Sequence, residues 1–389
     1  MSIELLAPVG NFKCLNAAIK AGCDAVYFGL QDFNMRDNAQ NFSLKDLDKL
    51  SKICRENKIR AYLTLNTIIF DSELKKIERI IKKVRGKIDA IICWDLAVIS
   101  LCKKYKIPFH ISTQASIANS KAAEFYKKLG AERVILAREL DLKQIKKVSK
   151  ILPVEIFIHG AMCLAISGRC LTSQFLNKKS ANRGRCTHPC RKSYIVRDEE
   201  GRELKVENNK IFSAKDLCTL PFIEKLKKSG ARGFKIEGRS REPEYVYAVT
   251  RAYRKALDKK LNQKEINKLT EELREVYNRG FSEGFYFCAP TSDDLSRKDH
   301  GEAKKTKKFI GKVFNYWKKQ GVAGVKLSAG KLKIGDEIIV VGENTFFKTK
   351  IKSMEKEHKK VKIAEKGGKV GIRVGKCRGG DEVYLVVGK

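Results

Sequence analysis

From residue 3 to about residue 257, short apolar runs alternate with amphipathic stretches. The runs IELLAPV (3–9), DAVYFGL (24–30), IRAYLTLN (59–66), DAIICWD (89–95), PFHISTQ (108–114), ERVILARE (132–139) and VEIFIHG (154–160) are apolar almost without interruption, as strands covered on both faces are. Between them NFKCLNAAIKAG (11–22), LDKLSKICRENK (47–58), SELKKIERIIKKVRG (72–86) and KAAEFYKKLG (121–130) carry apolar residues at helical spacing. The rhythm breaks after residue 160 and resumes with KIFSAKDL (210–217), FIEKLKKSG (222–230), ARGFKIEGR (231–239) and YVYAVTRAYRKAL (245–257). About eight strand–helix units predict an α/β fold, a (β/α)8 TIM-like barrel over residues 1–257 with a cysteine-rich insertion at 155–218. An open doubly wound sheet is the alternative, but no G-x-G-x-x-G follows a first strand.

Beyond the barrel the pattern changes twice. Residues 258–308 turn polar and predict a solvated helix and an extended linker lying on the barrel. Residues 309–389 read as short alternating strands (FIGKVFNYW, GVAGVKLS, EIIVVG, FFKTKIKSM, VKIAE, KVGIRV, EVYLVV), the pattern of a small antiparallel β-barrel. Its cations (Lys348, Lys350, Lys352, Lys356, Lys359, Lys360, Arg373, Lys376, Arg378) and aromatics (Phe314, Tyr316, Trp317, Phe346, Phe347) suit RNA, the charges meeting phosphates and the rings meeting splayed bases.

A barrel also locates chemistry. The predicted strands close on Gln31, Asn66, Asp95, Gln114, Arg138, His159, Lys215 with Asp216, and Glu237 with Arg239. Such residues gather at the carboxyl-terminal mouth, where these barrels keep their active sites. The break in the rhythm leaves from the same mouth. It holds Cys163, Cys170, Cys186 and Cys190 at a spacing of C-x6-C-x15-C-x3-C, and Cys218 follows in KDLC. A single cysteine usually packs in a core. Five within 56 positions, among Arg169, Arg183, Arg185 and glycines, point instead to a thiolate-ligated metal centre. The spacing matches neither a paired zinc ribbon nor the bacterial ferredoxin run.

The motifs F-x-H-G-A-M-C-x-A-x-S-G-x-C, N-R-G-x-C-x-x-P-C-R, S-x-K-D-L-C and F-K-I-E-G-R resemble those of the collagenase-like peptidase family of unassigned catalytic type. With the flanking pattern the resemblance covers most of residues 1–290. Better understood members of that family look like prephenate-dependent hydroxylases carrying a [4Fe–4S] cluster, and the chain is most similar to the branch acting on the wobble uridine of tRNA. Carried over by position, the resemblance implies Cys163, Cys170 and Cys186 as cluster ligands, with Cys218 as the fourth and Cys190 as its alternative. It implies prephenate as oxygen donor. That dicarboxylate calls for bidentate donors, and Arg138, Arg169, Arg183 and Arg239 are the candidates. We assign His159, Arg138, Arg169, Glu237 and Arg239 to the catalytic set, and Arg183 and Lys235 to co-substrate binding.

Charge adds a partner class. The 81 Lys and Arg against 45 Asp and Glu give a net charge of +36, which draws polyanions, nucleic acid first. A generally lysine-coated surface is the plainer explanation. MSIELLAPVG has no basic segment before an apolar one, and no apolar run reaches the roughly 18–20 residues of a membrane span. Twelve cysteines without an export signal imply reduced thiols or ligands. The expected setting is the cytoplasm, with tRNA and the iron–sulfur assembly machinery as partners. A peptidase would have to use a Cys163–His159 pair, since neither H-E-x-x-H nor G-x-S-x-G is present. A four-cysteine zinc site in a non-catalytic RNA-binding protein is the remaining alternative.

Overall fold

The computed structural model describes residues 3–166, 168–204, 212–296, 301 and 303–388. In chain order the first strands are β1 (Glu4–Pro8), β2 (Ala25–Gly29), β3 (Arg60–Thr64), β4 (Ala90–Cys93), β5 (Phe109–Ile111), β6 (Arg133–Ile135) and β7 (Val154–Gly160). A two-residue hairpin, β8 (Val196–Arg197) with β9 (Glu203–Leu204), precedes β10 (Asp216–Cys218), β11 (Gly233–Ile236) and β12 (Phe281–Ser282). Strands β1 to β7 and β11 pair in parallel, and β11 joins both β1 (Leu6↔Lys235) and β7 (Phe157↔Lys235), so the sheet closes into an eight-stranded barrel.

Helices α1 (Phe12–Lys20), α2 (Leu47–Glu56), α3 (Leu74–Val84), α4 (Leu96–Lys104), α5 (Ser120–Leu129) and α6 (Leu142–Val148) follow the first six strands. Each buries one stripe on the sheet. In α3 that stripe is Ile77, Ile80, Ile81 and Val84, the i, i+3, i+4, i+7 pattern. Side-chain caps begin several of them: Asn11, Asn119 and Asp141 accept from the amides of Cys14, Ala122 and Gln144. Short α7 (Thr172–Asn177) lies in the cysteine excursion, α8 (Ile223–Lys227) precedes β11, and α9 (Pro243–Asp258) and α10 (Gln263–Glu275) complete the outer layer.

The floor of the barrel is ionic. Arg133 bridges Glu4 and Glu155, the latter at 3.1 Å, and Lys235 Nζ donates to Glu155 at 2.9 Å. Charges this deep persist because each has a partner.

Two elements depart from the expected rhythm. Of KIFSAKDL, residues 210 and 211 lie outside the described part, and the rest supplies β10, which is not a barrel strand. It runs antiparallel against the upper end of β7 (Leu217↔Gly160, Cys218↔His159). The chain reaches it from the mouth without a crossover helix, and a strand returning that way runs antiparallel. The second departure is a bulge in β7. Lys235 and Ile236 are consecutive but pair with Phe157 and His159, leaving Ile158 as an extra residue.

Helix α10 is not wholly solvated, because Ile266, Leu269 and Leu273 are buried. The C-terminal unit begins at Lys305 and comprises β13 (Lys305–Trp317), β14 (Val322–Leu327), β15 (Lys331–Lys333), β16 (Glu337–Val341), β17 (Phe346–Lys350), β18 (Met354–Lys356), β19 (Lys359–Lys360), β20 (Ile363–Glu365), β21 (Lys369–Arg373) and β22 (Glu382–Gly388). All its pairings are antiparallel, in the order β17-β16-β22-β13-β14-β21-β18-β19 with β15 against β20. They enclose a separate core that includes Ile310, Val325, Ile338, Met354, Ile372 and Val383. Ile339, Val341 and Phe346 instead join the core of the barrel, with the Phe346 ring 4.8 Å from that of Tyr247. Phe346 is therefore a packing residue and not an RNA platform, and Lys348 is bound to Glu337 at 3.0 Å. No helix among the described residues is long and apolar enough to cross a membrane.

Candidate functional site

The carboxyl ends of the barrel strands surround a small cavity of about 40 Å³ lined by Tyr27, Thr64, Asn66, Gln114, Phe157 and five residues of charge or sulfur chemistry: Arg36, Arg138, Glu237, Arg239 and Cys163, with Lys235 at its base. Glu237 is the hub. Arg36 donates to its Oε1 from Nε (3.2 Å) and Nη2 (3.0 Å), and Arg138 Nη2 stands 4.0 Å from Oε2. Burial pushes the Glu237 carboxyl up, but Arg36, Arg138 and Arg239 outweigh it and hold the group below the usual carboxylate range.

The cations are fixed by short contacts. Arg239 Nη1 donates to Asn34 Oδ1 (2.9 Å) and Thr64 Oγ1 (2.8 Å), and burial beside Arg36 lowers its pKa to about 10. Gly29 makes room for it, since a Cβ there would lie 2.6 Å from Arg239 Nη1. Arg138 donates to Ala161 O at 2.8 Å and covers the Phe157 ring at 4.0 Å, while its Nε is buried without a partner. Burial also lowers the pKa of Lys235, against the pull of Glu155. Counting Lys235 with Glu155, the upper layer sets three guanidinium groups against one carboxylate. It is built for an anion.

The structure brings Arg138, Glu237, Arg239, Lys235 and Cys163 together and leaves three other expected residues outside. His159 is turned out of the lumen by the bulge at Ile158. Its ring lies among Tyr245, Tyr253 and Phe281, with Nδ1 3.3 Å from Tyr253 Oη, and burial drives its pKa down to about 3. It is a neutral packing residue, not an acid–base group of the pocket. Arg183 forks onto Glu73 and donates to Ile68 O at 2.5 Å, so it fastens the cysteine excursion to the loop after β3. Arg169 is exposed at the rim, where it donates to Gln114 O at 3.3 Å. Arg36 is the residue the sequence reading missed. It lies in the polar loop QDFNMRDNAQ, at no strand end, and only its pairing with Glu237 reveals it.

The excursion roofs the mouth and carries the thiols. Asn38 donates to Cys186 O at 2.8 Å, Arg185 pairs with Asp37 at 2.8 Å, and the Asp37 amide donates to Gly184 O at 3.1 Å. Cys190 is close enough to Cys163, Cys170 and Cys186 for their charge, after burial, to raise its pKa. Cys186 Sγ accepts from the His188 amide at 3.4 Å and from Ser173 Oγ at 3.6 Å, and Cys163 lies within electrostatic reach of Arg36. Cys218 is elsewhere: it is buried on β10 beside Tyr253 Oη (4.0 Å), and burial raises its pKa to about 11. The described structure thus groups Cys190, rather than Cys218, with the other three. Among the described residues no three His, Cys, Asp or Glu side chains form a ready-made metal site. The donor set nevertheless fits an iron–sulfur group in kind, being four thiols with amide, hydroxyl and guanidinium donors close by.

Comparison with known proteins adds relatives of two names. The description peptidase family U32 matches residues 10–296, and elongation factor Tu domain 2 matches residues 320–386. A collagenase of Porphyromonas gingivalis is 39% identical over 403 residues, covering 98% of this chain and 97% of its own. An uncharacterized protease of Methanocaldococcus jannaschii is 40% identical over 402 residues, covering 99% and 98%. A tRNA hydroxylation protein of Bacillus subtilis is 34% identical over 327 residues, covering 80% and 77%.

Proposed function

Because the chain belongs to peptidase family U32, we propose that it is an RNA hydroxylase that takes its oxygen from prephenate, acting on the wobble uridine of tRNA to give 5-hydroxyuridine. The observation that carries this reading is the mouth itself, where Arg36, Arg138 and Arg239 face the lone carboxylate Glu237. Their surplus of charge suits a substrate with two carboxylates, and planar guanidinium groups suit bidentate capture of each. Hydroxylation replaces C5–H by C5–OH, a two-electron oxidation of the base in which the co-substrate supplies the oxygen and accepts the electrons. The cavity is smaller than prephenate, so Cys163 and Met35 move aside to admit it. A [4Fe–4S] cluster on Cys163, Cys170, Cys186 and Cys190 would supply an electron-transfer or Lewis-acidic centre beside the mouth. Arg138 and Glu237 hold the co-substrate in register, and the roof excludes water from it. The relative named for tRNA hydroxylation and the net charge of +36 support RNA as the second substrate.

The peptidase reading has the collagenase relatives in its favour. Against it stands the placement of His159, whose ring faces Tyr253 and Phe281 while Cys163 lines the pocket, so the two form no catalytic pair. The deciding experiment uses protein purified without oxygen, in wild-type form and as Cys170→Ser. Visible absorption, iron and sulfide are measured, and then the nucleosides of tRNA incubated with prephenate. About four irons per chain, loss of colour in the variant and a hydroxylated pyrimidine formed only with prephenate are expected. A colourless protein that cleaves gelatin and leaves tRNA unchanged overturns the proposal.

A further inference from the structure

The excursion over the mouth has a composition unlike the rest of the chain. Between Glu155 and Asp198 there is no acidic residue, while Arg169, Lys178, Lys179, Arg183, Arg185, Arg191, Lys192 and Arg197 all fall there. It also exposes apolar groups that a folded surface ordinarily hides. Phe175 is 81% exposed, Leu176 60% and Leu171 55%, and Phe70 on the neighbouring loop is 54% exposed beneath the Arg183 guanidinium at 4.9 Å. Contiguous apolar groups rimmed by charge mark an interaction surface.

The geometry of α7 makes the surface specific. Ser173 is fully buried, and its Oγ accepts from the Thr187 amide at 3.1 Å and reaches Cys186 Sγ at 3.6 Å. One side of the helix is thus pinned to the thiol loop, and the other presents Phe175 and Leu176. The helix ends at Lys178 in the left-handed conformation (φ 54°), and Lys178, Lys179 and Lys192 are exposed with no acidic partner among the described residues. The larger cleft between barrel and C-terminal unit, about 960 Å³, differs. There Lys305, Lys307 and Lys348 are already bound by Glu275, Glu244 and Glu337.

We infer that the roof excursion is the RNA-gripping surface of this protein: unpaired bases of an RNA loop stack on Phe175 and Phe70 while Lys178, Lys179 and Lys192 take the flanking phosphates, which lays the target base over the mouth. This rests on the RNA hydroxylase reading and adds where the RNA lands. Rings accept any unstacked base and lysines any phosphate, so the surface selects single-stranded loops over duplex.

The test is fluorescence anisotropy of a labelled stem–loop RNA and of the same sequence closed into a duplex, using the full chain purified without oxygen. Phe175→Ala is expected to weaken stem–loop binding at least about five-fold and to leave duplex binding unchanged. Lys178→Ala with Lys179→Ala is expected to reduce the salt slope by about 1.4, two single-strand phosphates. Phe125→Ala, an exposed phenylalanine on α5, is the control and changes neither. Iron content and melting temperature equal to wild type show that the variants are folded. If both excursion variants bind the stem–loop as wild type does, RNA lands elsewhere and the inference fails while the hydroxylase reading stands. If wild type binds no RNA, both fall. A dimer that Phe175→Ala dissociates in sedimentation would assign the patch to a second copy and overturn the inference.

Discussion

At the scale of single residues, burial decides chemistry more than identity does. His110 and His159 both have pKa values driven down to about 3, by burial first and then by Arg133 and Arg241 respectively. Both imidazoles are neutral in the fold and take up protons in the unfolded chain below about pH 6.5, so the unfolded state binds more protons and stability falls with pH. Each group is expected to remove about 1.4 kcal/mol per pH unit between those limits. Urea midpoints from pH 7 to pH 4 measure it, and His159→Asn should flatten the slope by one proton; an unchanged slope would mean that the folded ring is already charged. The thiols give a second residue-scale expectation. Cys190→Ser should lose the iron that the wild type retains without oxygen, and Cys218→Ser should keep it, because only Cys190 lies among the other three thiols. Iron analysis of the two variants side by side reverses the assignment if it shows the opposite.

Among the elements, the excursion depends on a few backbone positions. Gly184 has φ 83°, and a Cβ there would lie 2.1 Å from Asn34 O and 3.0 Å from the Asp37 amide nitrogen. Gly184→Ala adds left-handed strain of about 1 kcal/mol and forces the roof away from the loop after β2. Limited proteolysis is expected to cut between residues 161 and 204 at least about ten-fold faster in this variant, the equivalent of about 1.4 kcal/mol of local stability. Cleavage at the wild-type rate would show that the roof is held without that contact. The bulge in β7 works in the opposite sense, since it turns one side chain outward without weakening the closure between β7 and β11.

For the whole molecule, the barrel and the C-terminal unit share apolar surface through Ile339, Val341 and Phe346, with Lys13–Glu382 and Lys49–Glu343 at the edges. The ion pairs are partly or largely exposed and add little. Phe346 is the anchor. Phe346→Ala should cost about 3–5 kcal/mol, the usual range for a buried phenylalanine, and should split one calorimetric transition into two. A single transition at a lower temperature would show that the two units still unfold together.

Period and composition were enough to determine the barrel. Continuous apolar runs spaced by amphipathic stretches can bury both faces of a parallel sheet in few other ways, and seven of its strands were legible before any coordinates. The C-terminal strands were legible for the same reason, and so were Arg138, Glu237 and Arg239 as polar ends to apolar strands. Three things were decided only by the tertiary structure. A one-residue bulge, which leaves no mark in the apolar pattern, turned His159 out of the mouth. A polar loop that carries no period delivered Arg36 to Glu237. The path of the excursion, set by contacts such as Gly184 with Asp37 that are far apart in sequence, chose Cys190 over Cys218 as the neighbour of the other thiols. Period reports what a residue faces within its own element; which distant residue it meets depends on how the elements close around it.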